Sequence, residues 1–181
     1  MKPRLAIVSD LWGFNNDSYI NLYIEELYNY FDVDLIDAQV LGDVNRNQDK
    51  QLIHKQFMSS GIDLAASRLA KAHIHFDILL GFNIGGTIGW EAIQLGAKID
   101  SLITVSTTHF KTKKNFPSKS IKLYLGEAEK NISSEKWLQE LGLSYSIRPS
   151  YGNLIYNNEA FINELCTELT ESYSTKNDCC E

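Results

Sequence analysis

The sequence predicts an α/β fold, a three-layer αβα sandwich around a mostly parallel, doubly wound sheet of about six strands. Three observations lead to this prediction. Short apolar runs alternate with stretches of helical periodicity along the chain. The run 76–80 is almost continuously apolar, as expected for a central parallel strand covered on both faces. Parallel strands need crossover connections, and the intervening helices supply them.

The first part of the chain follows this alternation in order. Arg4 to Asp10 begins as a short apolar strand and runs into a segment rich in turn-forming residues. Ile20, Ile24 and Leu27 then recur with helical spacing. The expected elements are a strand from residue 4, a helix capped by Asp17 or Ser18, a strand over 31–38, a polar loop over 39–49, and helix over 50–72, broken or kinked near Ser59-Ser60-Gly61.

The second part continues the pattern from the central strand. The helix over 84–95 is apolar on almost every side, which indicates burial between other elements. We expect a single domain over 1–171, followed by a flexible polar tail over 172–181. The further expected elements are strands over 102–106, 121–125 and 145–148, a helix that Ser133 caps and Gly142 ends, a loop over 149–158, and a final helix over 161–169.

Composition limits the classes of function. The chain has 181 residues, of which 44% are hydrophobic, so it can bury a full core. Its net charge of -6 argues against a nucleic-acid or anionic-membrane partner. No stretch resembles a signal peptide or a membrane span, and we expect a cytoplasmic location. Of three cysteines, Cys179 and Cys180 are adjacent, so no disulfide framework is expected.

Ligands of doubly wound sheets bind beyond the carboxyl ends of the strands. The loops expected at that edge cover 10–16, 82–86, 126–130 and 149–158. The central strand enters the turn Gly81-Phe82-Asn83-Ile84-Gly85, which has the spacing of the nucleophile-elbow motif except that asparagine replaces the central serine. Asparagine tolerates a left-handed backbone, so the tight turn remains plausible, but its amide has no nucleophilic hydroxyl.

On this motif and the order of its elements, the chain resembles a compact α/β-hydrolase of the dienelactone-hydrolase or small-esterase kind over about residues 4–170. The resemblance implies a triad carboxylate at Glu127, directly after the fifth strand. It also implies that Asn153, in the loop Pro149-Ser150-Tyr151-Gly152-Asn153, stands where the catalytic histidine would be. Trp12 and Gly13 resemble the loop that donates one oxyanion-hole N–H, and Ile84 would donate the other.

By this resemblance, two of the three groups required for acyl transfer are replaced by amides. We therefore expect a pseudoenzyme with an esterase-like fold, which binds a small acyl or carboxylate ligand or a protein partner. No cofactor and no metal are expected, because no His, Cys or carboxylate spacing matches a metal site. Simpler interpretations stay open: Asn83 as an ordinary turn residue, Asn153 as a helix cap, Glu127 as a solvated carboxylate and Trp12 as core packing.

Two other functions remain as alternatives. One is an ester or thioester hydrolase with a rearranged site made of Ser106, His109 and Glu127. The other is a flavodoxin-like protein in which the glycine turn over 81–86 holds a phosphate at a helix N-terminus. The second alternative lacks both a phosphate-loop lysine and the GxGxxG spacing.

Overall fold

A computed structural model describes residues 2–14, 18–107, 120–129, 144–148 and 154–178. It confirms the predicted fold class. The six-stranded sheet has the order β2-β1-β3-β4-β5-β6, and every pair of neighbouring strands is parallel. The strands are β1 Arg4–Val8, β2 Asp32–Ile36, β3 His75–Phe82, β4 Lys98–Val105, β5 Ser120–Gly126 and β6 Ser144–Arg148.

Helices cover both faces of this sheet. One core cluster contains residues of α2 to α5, and the other contains residues of α1 and α6. Short 3₁₀ turns over Glu127–Glu129 and Ile155–Asn157 follow two of the strands. The helices are α1 Ser18–Leu27, α2 Ala38–Leu41, α3 Lys50–Gln56, α4 Ile62–Lys71, α5 Ile84–Gln94 and α6 Glu159–Asp178.

A π-helical turn over Phe57–Gly61 joins α3 to α4. The spacing of buried side chains explains this turn. Ile53 and Phe57 are four residues apart, close to the 3.6-residue repeat of an α-helix, but Phe57 and Ile62 are five residues apart. The N–H of Ile62 donates to the carbonyl of Phe57, the i to i+5 bond of a π-helix. The extra residue keeps both helices facing the sheet, and it lies where the sequence predicted a break or kink.

Two helical boundaries differ from the expected ones. The segment 39–49, expected to be a loop, includes most of the four-residue helix α2. Its N-cap is Asp37, whose carboxylate accepts hydrogen bonds from the N–H groups of Gln39 and Val40. Helix α6 continues to Asp178, through the first residues of the segment expected to be a tail. No helix among the described residues is both long and apolar enough to cross a bilayer.

The strand order locates the ligand crevice. From β1 the chain moves to β2 on one side, and the next crossover returns it to β3 on the other side. The direction in which successive strands are added to the sheet therefore reverses between β1 and β3. In such folds the crevice lies beyond the carboxyl ends of the two strands at this reversal.

Candidate functional site

Closely packed glycines form the turn between β3 and α5. A Cβ atom on Gly81 would lie 2.5 Å from the nitrogen of Gly86, and one on Gly85 would lie 2.5 Å from the carbonyl oxygens of Val8 and Ser9. Real Cβ atoms essentially never approach other atoms so closely. These glycines therefore let the N-terminus of α5 press directly against the ends of β1 and β3.

Asn83 occupies the centre of this turn in a strained backbone conformation. Its φ of 49° is positive, as expected from the sequence, but its ψ of -111° lies outside the left-handed helical region that asparagine tolerates. These angles match the first central residue of a type II′ turn, where glycine is preferred. Conformations of this kind cost about 1–3 kcal/mol and persist only where surrounding structure holds them.

Neighbouring groups hold that conformation in place. The Asn83 N–H donates to the carbonyl of Val105 at 2.8 Å, and the Thr107 hydroxyl donates to the Asn83 carbonyl at 2.8 Å. The partly exposed Asn83 side chain donates from Nδ2 to the carbonyl of Ser106 at a long 3.4 Å. The N–H of Gly86 also donates to the Asn83 carbonyl, at 3.2 Å. The turn thus presents an amide beside the N–H groups of Ile84 and Gly85, the first two of α5, for which an α-helix supplies no acceptor.

This strain predicts how substitutions at position 83 rank in their free energy of unfolding. We expect Asn83→Gly to be at least as stable as the native chain and Asn83→Ala to be less stable than Asn83→Gly by about 1–2 kcal/mol, because only glycine adopts these angles without strain. Urea unfolding measures the difference.

The matched control is Asn29, an exposed turn residue that is not among those with positive φ. At this control position the Asn29→Ala variant should have a free energy of unfolding at least as high as that of Asn29→Gly. The same order at both positions would contradict the strain at Asn83.

Asp10, two residues after the end of β1, is a buried carboxylate that links two distant segments. Its Oδ1 accepts from the N–H of Trp12 at 2.8 Å, and its Oδ2 accepts from the hydroxyl of Tyr156 at 2.8 Å. Asp10 and Tyr156 are 3% and 1% exposed, so both groups are shielded from water. Sequence reasoning assigned neither residue a role, because no local pattern connects positions 146 residues apart.

The structure places the predicted oxyanion-hole residues around this crevice. Ile84 is buried and is the first residue of α5. Trp12 is partly buried against the core, with the Lys50 ammonium 5.4 Å from its ring centre. The N–H of Trp12 donates to the Asp10 carboxylate, and that of Gly13 donates to the Asp10 carbonyl at 3.3 Å. The N–H groups of Trp12 and Gly13 therefore both donate to Asp10 in this conformation, and neither is directed at a ligand.

Glu127 and Glu129 differ sharply in environment. Glu127, expected to be the triad carboxylate, is exposed at the start of a 3₁₀ turn. Glu129, at the end of that turn, is 4% exposed and accepts from the N–H groups of Gly126 at 2.8 Å and Leu154 at 3.3 Å. Sequence reasoning missed Glu129. The buried carboxylate here ties the end of β5 to the segment before α6.

Ser106 follows β4 and lies beside Asn83. It is fully buried, its φ is 57°, and its hydroxyl has no hydrogen-bond partner among the described residues. His109 and Asn153, the other two residues expected at this edge, lie outside the described residues. The described histidines are His54 on α3 and His73 and His75 at the amino end of β3, so none of them supplies an imidazole at the crevice.

An all-parallel sheet, a strained residue between β3 and α5 and a loop from β1 beside it characterise the fold of this chain. Several solved structures are similar to the chain along nearly its whole length. No protein-family model matches it, and no curated protein matches it.

A proposed hydrolase of the α/β superfamily from Xanthomonas campestris pv. campestris has a TM-score of 0.68 at 14% identity, covering 95% of this chain and 99% of that one. A dienelactone hydrolase from Anabaena variabilis has a TM-score of 0.61 at 14% identity, covering 94% and 85%. The Vlm2 thioesterase domain has a TM-score of 0.61 at 9% identity, covering 93% and 96%. The chain has the α/β-hydrolase fold, which confirms the resemblance found in the sequence.

Proposed function

We propose that this protein binds a small carboxylate or acyl ligand at the turn between β3 and α5 without forming or breaking a covalent bond. The observation that carries the proposal is Asn83, an amide at the strained position beyond the central strand. Loss of the nucleophile or the base from a serine triad typically costs about six orders of magnitude in turnover. This corresponds to a barrier increase of about 8 kcal/mol.

Binding remains chemically reasonable at this turn. The N-terminus of α5 carries the positive end of the helix dipole, and its first N–H groups favour an anion. The Asn83 side chain adds a donor and an acceptor, and it is partly exposed whereas the residues of α5 behind it are buried. A carboxylate or a carbonyl oxygen fits this set of donors. The ligand could equally be a protein partner that inserts a carboxylate or a carbonyl group into this turn. The proposal also includes a cytoplasmic location for the protein.

The experiment compares covalent labelling with reversible binding. A fluorophosphonate probe should label no serine of the native protein, and p-nitrophenyl esters should be hydrolysed no faster than in buffer. Ligand-observed NMR with acetate, malate and short acyl amides should show binding that Asn83→Ala weakens. Stoichiometric labelling of any serine would contradict the absence of a covalent step.

Restoring the missing groups tests the assignment of Asn83 and Asn153. We expect the double variant Asn83→Ser with Asn153→His to gain traces of esterase activity that neither single variant shows, because nucleophile and base act as a unit. The matched control pairs Asn83→Ser with Asn157→His, which places an imidazole on an exposed neighbouring turn. Inactivity of the folded double variant would count first against Asn153.

One observation favours a second candidate function, an ester or thioester hydrolase built on Ser106, His109 and Glu127. The Ser106 hydroxyl is buried beside Asn83 and lacks a hydrogen-bond partner among the described residues. Such a hydroxyl could still donate its proton to a general base. Its complete burial and the exposure of Glu127 are less favourable to attack on a substrate. Labelling that disappears in Ser106→Ala would establish this alternative.

A further inference from the structure

Three potential metal ligands converge at the edge of the sheet opposite the crevice. His75 and Asp77 are near the start of β3, and Asp100 is near the start of β4. We call these residues the strand-start cluster. One ligand atom from each lies within 4.8 Å of the other two. The cluster takes no part in the function proposed above.

Strand geometry brings these residues together. His75 and Asp77 are two residues apart on β3, so their side chains point to the same side. The pairings of Phe76 with Ile99 and of Ile78 with Ser101 place Asp77 beside Asp100 on the neighbouring strand. No metal site was expected from the sequence, because His75 lies at the edge opposite the crevice and no local spacing matches a metal site, whereas this cluster joins positions on two strands.

The cluster combines one imidazole with two carboxylates, and its described contacts are these. His75 Nε2 and Asp100 Oδ2 are 2.8 Å apart, and Asp77 Oδ2 accepts from the backbone N–H of Arg4 at 2.7 Å. The Arg4 guanidinium is itself paired with Asp34 at 2.6 Å. Two carboxylates therefore lie on adjacent strands beside one imidazole, and like charges directly opposite each other destabilise a sheet.

The strand-start cluster is accessible from solvent. The side chains of His75 and Asp100 are 54% and 56% exposed, so an ion can reach them directly from solvent.

We propose that the strand-start cluster binds one divalent transition-metal ion of the Zn²⁺ type through His75, Asp77 and Asp100. One imidazole with two carboxylates suits such an ion, whereas Mg²⁺ and Ca²⁺ prefer oxygen ligands alone. Tetrahedral ligands about 2.1 Å from Zn²⁺ are about 3.4 Å apart, so rotation of the exposed His75 and Asp100 side chains toward the partly buried Asp77 would bring the cluster to that spacing. Water would complete the coordination.

Calorimetric titration of untagged protein with ZnCl₂ tests the site directly. The protein should carry Cys179→Ser and Cys180→Ser, so that the terminal thiols of the sequence cannot bind the ion. We expect one Zn²⁺ per chain, and we expect His75→Gln and Asp100→Asn each to weaken the affinity by at least about tenfold. Co²⁺ should give visible absorption bands without the near-ultraviolet thiolate band.

The matched controls are His54→Gln on α3 and Asp63→Asn on α4, both exposed and away from the cluster. These variants should keep the native affinity. The proposal would be overturned by the absence of binding up to about 1 mM ion, or by affinity that survives both cluster substitutions. Because the readout is ion binding, its failure leaves the function proposed for the β3–α5 turn untouched.

Discussion

Gly85→Ala should destabilise the protein by about 3 kcal/mol or more, although alanine is the better helix former. The added methyl carbon would lie 2.5 Å from the carbonyl oxygens of both Val8 and Ser9. These are backbone atoms of β1 and its following residue, so no side-chain rotation relieves the clash. Either α5 shifts away from the sheet or β1 distorts. Urea unfolding with a two-state fit measures the loss of stability.

Gly89→Ala, in the same helix, is the matched control. Its added carbon would meet the ends of the Leu79 and Leu102 side chains at 2.7 and 2.9 Å, and flexible side chains can move. We expect a loss smaller by about 2 kcal/mol or more than that of Gly85→Ala. Equal losses would show that general overpacking of α5, rather than backbone approach at the turn, limits the structure.

Removing the Asp10 carboxylate should have the second largest effect. Asp10→Ala leaves the buried hydroxyl of Tyr156 and the N–H of Trp12 without their shared acceptor, at a cost of about 3 kcal/mol. Tyr156→Phe removes one hydrogen bond to a charged group and should cost about 1.5–3 kcal/mol. Urea unfolding of both single variants and the double variant gives the coupling between them.

The double variant should be more stable than the sum of the single losses predicts, by about 1–2 kcal/mol. Tyr28→Phe, on an exposed tyrosine, should change stability by less than about 0.5 kcal/mol and serves as the control. Strict additivity would contradict a direct bond between Asp10 and Tyr156. Asp10→Ala also releases the N–H of Trp12, one of the donors expected from the sequence for an oxyanion.

The sequence predicted the sheet well because burial leaves a strong local signal. All six strands lie where the sequence predicted them, and β1, β3, β4 and β5 contain the buried apolar runs, whereas the edge strands β2 and β6 have no buried residue. The turn at Asn83 follows from glycine spacing. Helix α2 was missed because four residues are too few to show a 3.6-residue period. Its N-cap Asp37 was the available signal.

The site was predictable only in its local part. The strained turn at position 83 lies where the glycine spacing predicted a tight turn. Glu127 was chosen for its place next to a strand, and the structure shows it exposed whereas Glu129 of the same 3₁₀ turn is buried. The bond between Asp10 and Tyr156 and the convergence of Asp77 with Asp100 arise from tertiary pairing. Residues far apart in the chain leave no periodic pattern that a single sequence can reveal.

The π-helical turn between α3 and α4 has a consequence for insertions and deletions. Ser59 and Ser60 are exposed within it, and their segment holds one residue more than a regular α-helix would need. Shortening the chain by either serine would turn the segment into uninterrupted α-helix, with Phe57 and Ile62 then one ordinary turn apart. This point of the continuous helix from α3 to α4 is therefore a place where natural variants of different length can arise without disturbing the sheet.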